Sequence, residues 1–389
     1  MTLHPHWGHL EVRRALARAR VRDSLPTALL IQGERGVGKQ HLALWLARLL
    51  LCDKPGPDGP CDTCSQCHLG LRLEHPDLHW HFPLPRPKGA SSPQKLARAL
   101  EDARADALKR FRENPVRAGS VKEPRGFYLA AAQALRREAQ KKPSQGDRQV
   151  FVLAEAEALA PQDSSSEAAN ALLKLLEEPP PGTTLILTSG EPGRLLPTIR
   201  SRTAQLHLPP LSRDEVRDFL VHVAGVSGDE ADRASLLAHG SIGRALGFLP
   251  DGDDPGPLEA LRREAFRLLS AAVAPSQGLI FEVASQFPPV GARGLSQLLD
   301  SLEEWLRDLA LAATGGMDEV RNREKKGFFL EVIERTPFPP PAVAAATGEV
   351  EKARAMASGN VNPQLIVFGL LLGIRKELIG SGLAPRNGR

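Results

Sequence analysis

Short apolar runs alternate with longer amphipathic segments over the first half of the chain. Each run is bounded by Gly, Pro or charged residues, which is typical of a buried strand. Four such runs lie at 27–33, 78–82, 149–153 and 183–189. Apolar residues repeat at helical spacing in the segments at 41–51, 94–111 and 164–178. Strands separated by helices predict a parallel sheet with helical crossovers, and therefore an α/β domain.

Two helix starts are marked by a capping box, a Ser followed three residues later by Glu. The first pairs Ser164 with Glu167, and the helix that it opens is stopped by prolines from Pro179 onward. The second pairs Ser212 with Glu215. Strand patterns disappear after the second box, and helical patterns continue to the end of the chain. The second half is therefore predicted to be all helical.

Changes in composition indicate where domains meet. Loss of the strand pattern places one boundary near 208, and a Pro-, Gly- and Asp-rich segment at 249–259 is typical of a linker. A stretch at 83–126, rich in Pro, Arg, Lys and Ser, is predicted to be a surface insertion around one helix. We therefore expect an α/β domain, a small helical domain and a larger all-α domain, at 1–208, 209–250 and 251–389.

Composition excludes some classes of function. Of 389 residues, 42% are hydrophobic and 25% charged, and no stretch approaches the roughly 20 uncharged apolar residues of a membrane span. Charges interrupt the N-terminus too often for a secretory signal, so we expect a cytoplasmic protein. The net charge of +4 is too small for a whole-surface nucleic-acid footprint. Any DNA contact is expected to be local or shared with partners.

The segment 33–40 matches a phosphate-binding loop between a predicted strand and a predicted helix. Gly33, Gly36 and Gly38 let backbone N–H groups surround a phosphate, and Lys39 supplies a positive charge. A glycine turn without a ligand is the alternative. Gln40 stands where a Ser or Thr hydroxyl would ligate Mg²⁺.

The second part of a magnesium site is also altered. This part normally ends an apolar strand with an aspartate, but QVFVL at 149–153 continues into Ala154 and Glu155. Glu155 could still orient water or face the metal; alternatively, Glu155 and Glu157 form a solvated helix start. Losing two metal anchors suppresses hydrolysis more than phosphate binding, so we expect ATP or ADP binding without turnover.

All the cysteines of the chain fall in one short segment. They are Cys52, Cys61, Cys64 and Cys67. Four thiolates at this spacing can close a tetrahedron around a structural Zn²⁺ with no open position for water. An iron–sulfur cluster or free or disulfide-bonded cysteines are the alternatives. His68 and His75 lie nearby, but such histidines are more often polar surface or core residues than metal ligands.

Taken together, these motifs resemble the AAA+ clamp-loader family of bacterial DNA polymerase III, most closely its delta-prime branch. The matching segments follow the family order, at 8–16, 33–40, 52–67, 75–80, 169–189 and 195–212. Weaker similarity extends to a lid region at 240–246 and to a last collar helix at 359–372. The resemblance implies an AAA+ domain with a zinc loop, a helical lid and a helical collar that oligomerises.

The resemblance also implies roles for single residues. Arg202 would be an arginine finger that reaches ATP held by a neighbouring subunit, and Thr203 replaces the cysteine usual in the family. Thr188 and Arg244 match the sensor 1 and sensor 2 positions. On the residues alone, Arg202 is equally a surface arginine and Thr188 a strand-end hydroxyl.

Delta-prime members typically carry defective phosphate-loop and aspartate motifs, so Gln40 and Ala154 favour that branch. The implied partners are the ATPase (gamma/tau) and delta subunits, the sliding clamp and primer-template DNA. Two other functions remain open. An active ATPase subunit would need Glu155 to replace the missing metal anchors, and a zinc-dependent nucleic-acid-binding protein outside a ring would use the basic insertion at 83–126.

Overall fold

The computed structural model describes residues 7–87, 92–113, 125–159, 167–359 and 361–380. The chain divides into two compact units, Met1–Leu246 and Gly247–Arg389. The border between the two units, after Leu246, lies next to the predicted linker at 249–259. The predicted domain boundary near 208, inside the first unit, stays a prediction. Ser164 of the first predicted capping box lies outside the described residues. No helix in the described part of the chain is long and apolar enough to cross a membrane.

The first unit is built on a five-stranded sheet in which every pairing is parallel, in the order β2-β5-β6-β1-β7. A separate antiparallel pair joins β3 to β4. The strands are β1 Ala28–Gln32, β2 Leu78–His81, β3 Leu84–Pro85, β4 Arg125–Gly126, β5 Gln149–Leu153, β6 Thr183–Ser189 and β7 Ala204–His207. The predicted parallel sheet is confirmed, and β3, β4 and β7 were missed.

Helices cover both faces of the sheet. Those of the first unit are α1 Leu10–Val21, α2 Lys39–Leu51, α3 Ser65–Leu71, α4 Pro93–Glu113, α5 Leu129–Ala139, α6 Glu167–Glu177, α7 Pro197–Arg200, α8 Arg213–His222 and α9 Gly228–Leu237. The next helix, α10 Ile242–Phe248, begins in the first unit and ends two residues past its border. The Ser212 capping box at the start of α8 is confirmed, because Ser212 and Glu215 each bond the other's backbone N–H. A short 3₁₀ helix spans Ala156–Leu159.

Two hydrophobic cores lie on opposite faces of the sheet. Along β1, Leu29 and Ile31 belong to the core that contains α2, whereas Leu30 belongs to the core that contains α6. The three central strands β1, β5 and β6 are therefore buried on both sides, which requires a nearly continuous apolar run rather than alternation. This burial explains why the strand segments were recognisable in the sequence.

The insertion at 83–126 is anchored in the first unit. Its helix α4 buries Leu100, and Phe111 lies 4.9 Å from Trp80 and 5.6 Å from Phe82 between ring centroids. The helix was expected, and its apolar face packs against the sheet edge. Aromatic packing at these distances stabilises the helix against the sheet edge.

The second unit is all helical over its described residues, as predicted. Its helices are α11 Pro257–Val273, α12 Gly278–Ser285, α13 Ser296–Ala313, α14 Lys326–Arg335, α15 Pro340–Ala357 and α16 Pro363–Ile379. Trp305 is fully buried in its core, and its indole N–H donates to the Arg262 carbonyl. The buried residues of this unit form one contiguous core.

Candidate functional site

The phosphate-loop motif lies between β1 and α2, the context that the sequence predicts. Gly36 and Gly38 have φ values of +80° and +100°, a conformation that glycine adopts at little cost. Gly38 is the N-cap of α2, and Lys39 is its first residue. The loop therefore has the strand–loop–helix geometry that directs a helix N-terminus toward an anion.

The side chain of Lys39 is bonded to the loop itself. It is 8% exposed, and its Nζ donates to the carbonyl oxygens of Gly33 at 2.8 Å and Glu34 at 2.6 Å. Burial lowers the pKa of Lys39 to about 8, against the attraction of Glu157 and Glu155. Contact with a phosphate would require the ammonium group to exchange these carbonyl oxygens for phosphate oxygens.

The start of α10 packs directly on the loop. The Ser241 hydroxyl donates to the Arg35 carbonyl at 3.1 Å, and the Gly243 N–H donates to the Gly36 carbonyl at 3.1 Å. A Cβ atom at Gly36 would lie 2.3 Å from Ser241 Oγ. Arg244, the predicted sensor 2 residue, follows at once, and its backbone N–H donates to Ser241 Oγ. The structure thus brings the predicted lid residue to the predicted phosphate loop.

The position of the missing magnesium anchors is filled by a contact between side chains. Gln40 Nε2 donates to Glu155 Oε1 at 3.4 Å, and the buried Ala154 supplies no ligand atom. The Glu155 N–H donates to Thr188 Oγ1 at 3.2 Å, which joins the ends of β5 and β6. Thr188, the predicted sensor 1 residue, is therefore at the site. These residues do not fit a magnesium ion held by a hydroxyl and an aspartate.

The two glutamates after β5 have different surroundings. Glu155 is exposed and has a left-handed φ of +51°. Glu157 is 5% exposed, and its Oε1 accepts the Gly190 N–H at 3.1 Å. The interpretation of Glu157 as part of a solvated helix start is therefore wrong. A buried carboxylate needs nearby N–H donors or positive charge, and the Gly190 N–H is one such donor.

The four cysteines converge on one point. Their Sγ atoms all lie within 4.8 Å of one another, and the Sγ atoms of Cys61 and Cys67 are 4.0 Å apart. Zinc–sulfur bonds of about 2.3 Å in a tetrahedron place sulfurs about 3.8 Å apart, so the group fits a metal ion. Exposed His68 and buried His75 are not part of this group. The cysteines form a candidate metal centre that could hold an ion.

Backbone geometry prepares these sulfurs for a metal. Backbone N–H groups donate to three of them: Cys61 N–H to Cys52, Cys64 N–H to Cys61, and Cys67 N–H to Cys64. The hydroxyl and N–H of Thr63 lower the pKa of Cys61 to about 6. Burial raises the pKa of Cys67 and Cys52. Because burial opposes ionisation of Cys52 and Cys67, the charge of a bound cation would favour four thiolates here.

Arg202 lies away from these groups, in the turn after α7. Its Nε donates to Glu177 Oε1 at 2.6 Å, and its Nη1 donates to the Thr198 carbonyl at 3.0 Å. The bonds that hold it belong to α6 and to its own turn, not to the phosphate loop. Sequence reasoning missed Glu177, whose only signal was its place just before the prolines that end α6.

Comparisons with known proteins place this chain among relatives of one family. Residues 8–212 match the family model described as DNA polymerase III, delta subunit. The chain is 36% identical over 182 residues to the DNA polymerase III subunit delta' of Pseudomonas aeruginosa, covering 47% of this chain and 43% of that protein.

Two further relatives carry the same name. The Bacillus subtilis subunit delta' is 30% identical over 210 residues, covering 54% of this chain and 50% of that protein. The Escherichia coli subunit delta' is 28% identical over 359 residues, covering 90% of this chain and 89% of that protein. The chain thus spans about half the length of the first two relatives and most of the third. Because the family model matches more than half of the sequence, the chain belongs to the DNA polymerase III delta subunit family that this model describes.

Proposed function

We propose that this chain is a delta-prime subunit of a DNA polymerase III clamp loader, which helps to place the sliding clamp on primed DNA. The observation that carries this proposal is the match of 90% of the chain to a subunit delta'. Its partners would be the ATPase (gamma/tau) and delta subunits, the clamp and, through the assembly, primer-template DNA. The all-α second unit would form the collar that joins the subunits.

The chain itself would perform little or no hydrolysis. Ala154 and the contact between Gln40 and Glu155 stand where magnesium anchors belong, and Lys39 is bonded to carbonyl groups. Bound Mg²⁺ would stabilise charge on the transferred phosphate, and this chain lacks the residue types that hold it. ATP or ADP binding at Gly33, Gly36, Gly38 and Lys39 stays a prediction.

Arg202 would be the contribution of this chain to chemistry. Its side chain is 34% exposed, so the guanidinium is accessible at the surface of the subunit. Placed against ATP on the neighbouring subunit, it would stabilise the charge that develops on the γ-phosphate. An arginine supplied in this way raises the rate of phosphoryl transfer by orders of magnitude.

For the cysteine group we propose a structural zinc ion. Four sulfur ligands fill a tetrahedron and leave no position for water or substrate. The ion would therefore fix the loop between α2 and α3 rather than take part in a reaction.

The test is ATP turnover by a clamp loader reconstituted with the ATPase and delta subunits, the clamp and primed DNA. We expect the isolated chain to be inactive, and Arg202→Ala to lower the turnover of the assembly without preventing assembly. Turnover by the isolated chain, together with no effect of Arg202→Ala, would contradict the proposal.

One observation favours an active ATPase as the second candidate. Glu155 is exposed and within hydrogen-bond distance of Gln40, so a carboxylate is present beside the loop. In that case the isolated chain would hydrolyse ATP, and Lys39→Ala would abolish the activity.

A further inference from the structure

The guanidinium of Arg202 is held on one edge by a single carboxylate. Nε lies 2.6 Å and Nη2 2.5 Å from Glu177 Oε1, while Nη1 donates to the Thr198 carbonyl at 3.0 Å. Arginine offers five N–H groups in a rigid plane. Nη1 also donates to Ser201 Oγ at 3.4 Å. These contacts therefore leave one N–H group, on Nη2, for a further acceptor.

Both ends of this pair are fixed by the fold. Glu177 is the last residue of α6, where the following prolines end the helix. The turn that carries Arg202 is tied by the Thr203 hydroxyl, which donates to the carbonyl groups of Ile199 and Arg200 at 3.2 Å. Ile199 and Leu176 of α6 belong to the same buried core. Packing, rather than charge attraction alone, brings the carboxylate to the arginine.

A gain in folding stability is a weak explanation for the ion pair between Arg202 and Glu177. The Arg202 and Glu177 side chains are 34% and 44% exposed, and ion pairs at such exposure contribute little to folding. A long arginine side chain, however, loses considerable rotamer freedom when it meets a phosphate. A partner that holds the side chain beforehand removes part of that cost from the reaction.

We propose that Glu177 is a positioning residue for Arg202: it holds the Nε edge of the guanidinium so that the remaining N–H group of Nη2 faces the nucleotide of the neighbouring subunit. This proposal rests on the proposed function of Arg202. Glu177 itself touches no nucleotide. Its effect on the reaction is exerted wholly through the orientation of the guanidinium.

The experiment measures steady-state ATP turnover of the complete clamp loader with clamp and primed DNA. Glu177→Ala is expected to lower kcat about fivefold with KM for ATP unchanged, since the arginine acts on charge that develops in the transition state. Glu177→Gln, which keeps a neutral acceptor, is expected to lie between wild type and Glu177→Ala. Combining Glu177→Ala with Arg202→Ala is expected to equal Arg202→Ala alone.

The matched control is Glu178→Gln, at the neighbouring exposed carboxylate, and it is expected to behave as wild type. If Arg202→Ala leaves turnover unchanged, the proposed function fails. If Arg202→Ala lowers ATP turnover while Glu177→Ala turns over ATP as fast as wild type or faster, only the positioning role of Glu177 is overturned. Additive losses in the double variant overturn it too. Gel filtration and thermal unfolding check assembly, and Glu177→Gln decides the result if Glu177→Ala does not assemble.

Discussion

At the scale of single residues, Lys39 illustrates how a recognisable motif can be satisfied internally. Its ammonium group is buried and donates to the carbonyl groups of Gly33 and Glu34. A buried charge is tolerated where hydrogen-bond partners replace water. The lysine therefore contributes to the conformation of the loop whether or not a phosphate binds.

The lowered pKa of Lys39 predicts a pH effect on stability. Between pH 8 and 10.5 the folded chain releases this proton while the unfolded chain keeps it, so stability should rise with pH. Relative to Lys39→Met, which lacks the titration, wild type is expected to gain up to about 3 kcal/mol in free energy of unfolding across this range. Denaturant unfolding at several pH values measures the difference.

The control for this comparison is Lys174→Met, because Lys174 is an exposed residue of α6. It tests for any effect of removing a lysine from the surface. A difference between wild type and Lys39→Met that stays constant from pH 8 to pH 10.5 would contradict the prediction.

At the scale of elements, α2 connects the two candidate sites. It begins at Lys39 in the phosphate loop and ends at Leu51, beside Cys52. Arg48 on this helix is 7% exposed and pairs with Asp62 of the cysteine loop at 3.2 Å. A Cβ atom at Gly70 of α3 would lie 3.1 Å from Arg48 Cγ. The cysteine loop and α3 thus pack closely against the helix of the phosphate loop.

Loss of the proposed metal is expected to loosen this packing. Purified protein should contain one zinc ion per chain, and Cys67→Ser should lose it. The free energy of unfolding should fall by about 3 kcal/mol or more, because the free energy of metal binding is also folding free energy. Metal analysis and denaturant unfolding provide the two measurements.

Ser65→Ala is the matched control, since Ser65 is the exposed first residue of α3, between Cys64 and Cys67, and lies outside the cysteine group. A chelator should destabilise wild type and Ser65→Ala but leave Cys67→Ser unchanged. Full stability of a metal-free wild-type protein would be evidence against a structural ion.

At the scale of the whole molecule, the two units have separate cores and separate polar anchors. In the second unit, Asp308 is 1% exposed and accepts N–H groups from Arg321 and from the backbone and side chain of Asn322. This carboxylate fixes the segment between α13 and α14. If this carboxylate is removed, the buried N–H groups that it accepts have neither water nor another partner. The loss in free energy of unfolding is then far larger than for a surface contact.

Asp308→Ala is therefore expected to destabilise the second unit by about 3 kcal/mol. Hydrogen exchange should show faster exchange in α13 and α14, with β1 and β6 unchanged. Asp318→Ala, at an exposed position paired with Lys326, should leave exchange near wild type in both units. Equal acceleration in the strands of the first unit would refute the assignment of this effect to the second unit.

Much of the fold was predictable because its signals are local in sequence. The strands β1, β5 and β6 are buried on both faces and appear as apolar runs, and the start of α8 is marked by the Ser212 capping box. The edge strand β7 was missed because most of its residues are exposed, whereas the other edge strand, β2, keeps Trp80 buried. An exposed edge strand carries little hydrophobic pattern.

By itself, the sequence determined the sheet, the phosphate loop, the cysteine group and the loss of the magnesium anchors. Each depends on residue type and spacing within a short segment. Only the tertiary structure decided that Lys39 bonds the loop carbonyls, that Gln40 meets Glu155, and that Glu177 holds Arg202. The last two pairs join residues 115 and 25 positions apart, and the Lys39 bonds require the closed loop conformation. Such contacts are set by packing of whole elements, which no local pattern encodes.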